Sequence, residues 1–196
     1  EWYELLFHPD EDKLTGQILS EIAPAMLLGR MPAVRASIAP ETLDESERVD
    51  LRGSTVQAVR CIGWASQLLG IEAPSIYTSP EWDGSAEVVL TPKPCTRLGK
   101  RVLARRSNRE LAFVAGRHLT WYRREHVLGK PTKSTRRIED MFLAALMLGN
   151  PGLPMTAEIK QRVAPIAGAV RPLLDDAALG RLRGQVGAVL LERRHL

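Results

Sequence analysis

Side chains that commonly bind metals or form cross-links are scarce in this sequence. The 196 residues include two cysteines and four histidines, and neither set has the clustered spacing of a zinc site or a disulfide framework. We therefore expect Cys61 and Cys95 to be free, unreactive thiols, and we expect no cofactor. A catalytic serine or cysteine is not indicated either, because no Gly-x-Ser-x-Gly or cysteine-histidine signature places a nucleophile beside a base.

Long apolar runs and phosphate-binding loops are also missing. The longest strongly apolar run, residues 141–148, is far shorter than the roughly 18 residues that a membrane span needs, and no secretory signal pattern is present. Gly99 lacks the neighbouring glycines of a nucleotide-binding loop. We expect a cytoplasmic protein that does not enter a membrane. Because the chain begins with Glu1 and not with methionine, we also expect it to be part of a larger polypeptide, and its richness in alanine, leucine and arginine is compatible with a bacterial source.

Charge is distributed unevenly, although the net charge is only +4. Residues 1–51 contain eleven acids and four bases, whereas residues 93–137 contain fourteen lysines or arginines and two glutamates. Such a basic segment can bind an anionic partner, and it can equally be a solvated face that contacts the acidic N-terminal third. Nucleic acid is the weaker partner, because aromatics form only 5% of the chain and do not alternate with the arginines. The candidate anion-binding residues are Arg97, Lys100, Arg101, Arg105 and Arg106.

Apolar periodicity and turn residues predict an α+β protein. Helical spacing and helix-end signals predict helices at residues 14–28, 54–69, 107–126, 135–148, 156–170 and 175–194. Runs of β-forming residues between turns predict strands at residues 75–79, 86–91 and 96–104. This order indicates a small, mostly antiparallel sheet packed on helices, with a C-terminal helical part. We expect one domain overall, made of an N-terminal helical and linker segment, an α+β core and C-terminal helices at residues 1–52, 53–128 and 129–196.

The helix predicted at residues 107–126 is the most clearly defined element. Ser107 and Glu110 have the spacing of a capping box, and Ser54 with Gln57 predicts a second one. An apolar stripe follows one face of the helix, formed by Leu111, Val114, Ala115, Leu119 and Tyr122. The opposite face carries Phe113, Arg117, Thr120, Trp121 and Arg124.

Several motifs follow one another in a recognisable order. A predicted helix ends in Leu-Gly at residues 69–70, and a Pro-x-x-Tyr strand follows at residues 74–78. After two more strands come a Ser-x-x-Glu-Leu helix start at residues 107–111 and a Phe-Val-x-Gly step at residues 113–116. In this order the chain resembles the soluble catalytic domain of the HEXXH zinc metallopeptidases of the gluzincin class, the relatives of heat-shock protein X and the CAAX prenyl protease. The resemblance covers residues 54–126 and implies a zincin-like fold.

The metal-binding motif of this family is replaced in the chain. The HEXXH slot falls on residues 117–121, so Arg117 and Trp121 occupy the ligand positions and His118 occupies the position of the general base. Arginine and tryptophan offer N–H donors and no lone pair for a metal, and no downstream glutamate has the pattern of the third ligand. The resemblance therefore implies a catalytically inactive domain without a metal. Arg117 and Trp121 are four residues apart, so they can form a cation–π contact that would fill the former cleft, and the alternative is a solvated Arg117 with Trp121 packed beneath the following loop.

A binding function takes the place of catalysis in this interpretation. Degenerate domains of this kind are typically appended to large multidomain proteins, so the resemblance implies an interaction or scaffolding module. Its partner would be another protein or another domain of the same polypeptide. Arg117, His118 and Trp121 are candidate binding residues because interfaces favour tryptophan and arginine, and the alternative is that they are ordinary surface and core residues. Two other functions stay open: anion or nucleic-acid binding by residues 93–137, and residual zinc-dependent hydrolysis.

Overall fold

The described residues fold into two compact units. The structure, a computed structural model, describes residues 11–37, 43–89, 93–132 and 134–192. The sheet unit takes its described residues from Pro40–Arg123, and the helical unit takes its own from Phe7–Ala39 and Arg124–Leu196. The three predicted segments divide the chain differently, because the N-terminal helix packs with the C-terminal helices. That the chain forms one domain overall stays a prediction.

A four-stranded mixed sheet organises the sheet unit, in the order β1-β2-β4-β3. The strands are β1 (Arg48–Val49), β2 (Ile76–Ser79), β3 (Ala86–Val89) and β4 (Cys95–Gly99). The predicted α+β class is confirmed. The two outer strand pairs are antiparallel as expected, but the central pair, β2 with β4, is parallel. The chain passes from β2 to the edge as β3 and returns between them as β4, so β2 and β4 point the same way.

The third predicted strand, residues 96–104, is wrong beyond Gly99. A short helix, α3 (Lys100–Leu103), begins there, and Cys95 belongs to β4 and not to a loop. The N–H groups of residues 99–101 donate to carbonyl oxygens in the turn at residues 82–85, over 2.7, 2.9 and 3.0 Å. These hydrogen bonds to a turn distant in sequence take the place of pairing with a neighbouring strand. The sequence around Gly99 therefore does not reveal that the strand ends there and a helix begins.

Helix α2 (Gln57–Leu69) confirms a predicted helix but not its predicted start. The residue that precedes the helix is Val56, and the Ser54 hydroxyl accepts a hydrogen bond from the Val56 N–H over 3.1 Å. The capping box of Ser54 with Gln57 is therefore wrong. The predicted end is confirmed, because Gly70 adopts a left-handed conformation with φ of 63°, which favours glycine.

Helix α4 (Asn108–Leu119) is the predicted central helix, in a shorter form. Its capping box is confirmed: the Ser107 hydroxyl accepts from the Glu110 N–H over 3.3 Å, and the Glu110 carboxylate accepts from the Ser107 N–H over 2.9 Å. A 3₁₀ turn, Thr120–Tyr122, replaces the helix predicted up to residue 126. The Thr120 hydroxyl donates to the Arg117 carbonyl over 2.8 Å, a local bond of the kind that competes with helix continuation.

The capping box gives a direct stability prediction. Ser107→Ala removes the hydroxyl that accepts from the Glu110 N–H and also donates to the Glu110 carboxylate over 2.8 Å. We expect this change to lower the free energy of unfolding of the sheet unit by about 1 kcal/mol. Chemical denaturation followed by tryptophan fluorescence measures this change. Ser54→Ala is the matched control, because its hydroxyl caps no helix, and it should cost less than about 0.5 kcal/mol. Equal losses in the two variants would contradict the assignment of the two helix starts.

The helical unit packs its helices around a separate apolar core. The helices are α1 (Lys13–Ser37), α5 (Gly129–Thr132), α6 (Thr135–Gly149), α7 (Ala157–Val170) and α8 (Asp176–Glu192). Helix α1 continues to Ser37, beyond its predicted end at residue 28. The fully buried side chains include Ile18, Ile22, Met141, Leu182 and Val186. In the part of the chain that the structure describes, no helix has the length and apolarity to cross a membrane.

Candidate functional site

The three residues at the predicted positions of the metal motif lie in different surroundings. Arg117 is exposed in the last turn of α4, His118 is only 5% exposed, and Trp121 is half-buried in the following 3₁₀ turn. Because α4 ends at Leu119, Arg117 and Trp121 do not share one continuous α-helix. The cation–π contact expected between them stays a prediction. A cation–π contact does occur elsewhere in the sheet unit, where the Arg97 guanidinium lies 4.2 Å from the centre of the Trp82 ring.

The buried His118 and Thr96 form a polar cluster with the half-buried Tyr122, which we name the His118 cluster. The Thr96 hydroxyl lies 2.9 Å from His118 Nε2 and 2.7 Å from the Tyr122 hydroxyl. The rings of His118 and Tyr122 meet edge to face, with centroids 5.6 Å apart. Thr96 is on β4, so the cluster connects the sheet to α4 and to the 3₁₀ turn after it. Its three side chains therefore hold the helix on the sheet.

Tyr122 makes the His118 cluster sensitive to high pH. Burial raises the pKa of Tyr122 well above its ordinary value of 10, and the hydrogen bond with Thr96 opposes this only in part. An unfolded tyrosine loses its proton near pH 10, whereas the folded protein keeps it. The free energy of unfolding should therefore fall as the pH rises above about 10, by at most about 1.4 kcal/mol per pH unit from this group.

Denaturation curves measured between about pH 9 and pH 11.5 check this slope. Tyr122→Phe should remove the contribution of Tyr122 and flatten the curve. The control is Tyr77→Phe. The hydrogen bond that the Tyr77 hydroxyl donates to Glu45 over 3.0 Å also raises the pKa of Tyr77, but this hydroxyl lies at the surface and the shift is smaller than that of Tyr122. That variant should keep most of the slope, and an unchanged slope in Tyr122→Phe would contradict the prediction.

The five candidate anion-binding residues do not form one uniform cationic patch. Arg97 pairs with Glu87 over 2.8 Å, with its side chain only 13% exposed, and it stacks on Trp82. The Arg97 guanidinium is therefore held by contacts within the sheet unit. The other four, Lys100, Arg101, Arg105 and Arg106, are exposed. They lie on α3 and on the short connection between α3 and α4.

Two of these exposed arginines have carboxylate neighbours at the surface. Arg101 lies 3.3 Å from Asp83, and Arg106 lies 3.3 Å from Glu110. Arg106 also donates to the carbonyl of Arg101 over 3.0 Å. Exposed pairs of this length contribute little to stability, so their carboxylates compete weakly with an incoming anion.

A cleft of about 200 Å³ brings two of the predicted residues together with apolar side chains. It is lined by Ser85, Arg101, Val102, Arg106, Glu110, Leu111, Phe113 and Val114. The Phe113 side chain is 67% exposed at this cleft. Phe113 is not among the site residues predicted from the sequence. Its place on the polar face of an amphipathic helix could have indicated a binding residue. We name this feature the Phe113 cleft.

Possible metal ligands do not gather in one place in the part of the chain that the structure describes. Among the described residues, no group of three or more histidine, cysteine, aspartate or glutamate side chains could hold a metal ion. Cys61 and Cys95 are not joined in a disulfide, and burial raises the pKa of the Cys61 thiol, which lowers the fraction of reactive thiolate.

Comparison of the chain with protein-family models, with curated proteins and with solved structures finds no match. The resemblance to gluzincins therefore stays a prediction that rests on the motifs in the sequence.

Proposed function

We propose that this chain contains a catalytically inactive, peptidase-like module whose function is to bind a protein partner. The order of elements supports the proposal: α2, β2, the edge strand β3, β4 and α4 come in the order that the resemblance implies, with only the short helix α3 between β4 and α4. The partner is a separate protein or another part of the same polypeptide. The module is proposed to work in the cytoplasm.

The observation that carries this proposal is the position of His118. In the peptidase motif, the residue at this place is a general base that must reach a metal-bound water. Here the side chain is 5% exposed, and its Nε2 is engaged with the Thr96 hydroxyl at 2.9 Å. The neighbouring Arg117 is exposed and permanently cationic, so it has no lone pair for a metal. Two of the three motif positions, His118 and Arg117, thus have surroundings that favour packing and surface contacts over hydrolysis.

The Phe113 cleft supports a binding role on the same helix. Phe113 and Arg117 are four residues apart on α4, and both are exposed. Exposed aromatic side chains and arginines are enriched among the residues that dominate protein interfaces. A phenylalanine that is 67% exposed gains most from a partner that covers it, because apolar area is then removed from water.

Site-specific photo-crosslinking in the cells that produce the protein tests this function. Benzoylphenylalanine placed at Phe113 or at Arg117 should yield a discrete crosslinked protein of constant mass. Trp64 is the matched control position, because it is an aromatic residue of the same unit that is 57% exposed on α2. The proposal fails if neither position on α4 gives an adduct, or if position 64 gives the same adducts.

A further inference from the structure

We infer that the Phe113 cleft binds an acidic peptide segment of the partner and takes up one apolar side chain of that segment. This inference rests on the proposed function and names the chemistry of the partner. Three properties of the cleft support it: its volume, the apolar nature of its walls, and the charge around its mouth.

The volume of the cleft fits a single side chain. Pockets for whole small molecules enclose about 300–1,000 Å³, and this cleft measures about 200 Å³. Its inner lining comes from Val102 and Leu111, which are 6% and 3% exposed, and Phe113 stands beside them in solvent. An aliphatic or aromatic side chain from a peptide would cover these carbons and remove the exposed ring from water.

The charge around the cleft selects an acidic segment. Residues 100–110 contain five lysines or arginines and one acid, Glu110, and Asp83 adds a second carboxylate through its pair with Arg101. Five cations against two carboxylates leave this segment with three positive charges, and two of the cations, Arg101 and Arg106, line the cleft itself. Carboxylates of a partner can replace Asp83 and Glu110 at Arg101 and Arg106, because both existing pairs are 3.3 Å long and their side chains are largely exposed.

A peptide fits these features better than a nucleic acid does. Single-stranded nucleic acids are held by several aromatic rings that stack successive bases, whereas Phe113 is the one aromatic side chain that lines this cleft. The walls formed by Val102, Leu111 and Val114 make no hydrogen bond to a base edge. A peptide supplies the apolar side chain and the carboxylates together. Nucleic-acid binding is the alternative that the experiment below distinguishes.

Fluorescence anisotropy with defined peptides tests the inference on the whole chain. The probe is a fluorescein-labelled nonapeptide with leucine at its centre and aspartate and glutamate on both sides. The two comparison peptides carry either asparagine and glutamine in place of the acids, or serine in place of the leucine. We expect the acidic leucine peptide to bind at least about tenfold more tightly than either comparison peptide. Each comparison peptide lacks either the carboxylates or the apolar side chain. The affinity of the acidic leucine peptide should also fall with added salt.

Variants of the protein locate the binding site. Arg101→Gln with Arg106→Gln should weaken binding of the acidic leucine peptide about tenfold, and Phe113→Ser should do the same. The charge-matched control is Arg52→Gln with Arg60→Gln, two exposed arginines of the same unit outside the cleft. The aromatic control is Trp64→Ser. Both controls should leave the affinity unchanged, and all the substituted side chains are exposed, so the fold should persist.

Three results would overturn the inference. The first is equal binding of the acidic and amide peptides, and the second is unchanged affinity in Phe113→Ser. The third is an oligothymidylate that binds more tightly than the peptide and is weakened by the same arginine substitutions, which would assign the cleft to nucleic acid. If position 113 crosslinks a protein while no acidic peptide binds, the inference fails and the proposed function stands.

Discussion

Valine in place of Thr96 is expected to lower the free energy of unfolding of the sheet unit by about 2–4 kcal/mol. Thr96 is fully buried, and its hydroxyl is shared between His118 Nε2 and the Tyr122 hydroxyl. Valine keeps the volume of the side chain but removes this shared group, so the buried His118 Nε2 and the half-buried Tyr122 hydroxyl each lose one hydrogen bond. Removing one partner of a buried hydrogen bond costs about 1–3 kcal/mol.

Denaturation followed by tryptophan fluorescence measures this loss selectively. The tryptophans among the described residues, Trp64, Trp82 and Trp121, all lie in the sheet unit. Thr78→Val on the neighbouring strand is the matched control, because its hydroxyl makes only a long bond of 3.5 Å to the Glu47 carbonyl. The control should cost less than about 0.5 kcal/mol. If both variants lose the same free energy, the His118 cluster does not hold α4 on the sheet.

Gly99→Ala is expected to cost the sheet unit about 3 kcal/mol, since it overpacks a contact between backbone segments. A methyl group on Gly99 would lie 2.5 Å from a ring carbon of Trp82 and 2.6 Å from the Gly84 carbonyl oxygen. That carbonyl cannot easily move, because it accepts the N–H of Arg101 over 3.0 Å. The same turn provides Ser85 to the Phe113 cleft, so the variant should also bind the acidic peptide more weakly.

Gly116→Ala is the control for this substitution, because the same chemical change should have a stability effect of the opposite sign there. A methyl group on Gly116 would meet no heavy atom within 4 Å, and the residue lies inside α4. Alanine is favoured over glycine in a helix by about 1 kcal/mol, so this variant should be more stable than the parent protein. A loss below about 1 kcal/mol in Gly99→Ala would show that the turn adapts to the added methyl group.

Predictions from the sequence were confirmed where residues close together in the chain determine the structure. The capping box of Ser107 with Glu110 and the left-handed Gly70 depend on residues within one helical turn, and the structure has both. The apolar stripe of α4 was predicted from its spacing, and Leu111, Ala115 and Leu119 are buried. These features need no knowledge of distant parts of the chain.

The remaining features depend on contacts between residues far apart in sequence. Helix α3 begins at Lys100 because carbonyls of the turn at residues 82–85 accept the backbone N–H groups. Strand β1 has only two residues, too few for any periodic pattern. His118 is bonded to Thr96, 22 positions earlier, so the sequence placed it on the correct helix without indicating its partner. The same limit applies to Arg101, whose carboxylate neighbour Asp83 is 18 positions away.

The metal content of the purified protein tests the central claim most directly. The full chain is produced in medium supplemented with zinc, purified without chelators, and analysed by plasma mass spectrometry beside His118→Ala. Arg117 and Trp121 occupy the predicted ligand positions, and His118 is hydrogen-bonded to Thr96, so we expect almost no zinc in either protein. About one zinc ion per chain that is lost in His118→Ala would contradict this expectation, and the chain would then have to be considered a metal-dependent enzyme.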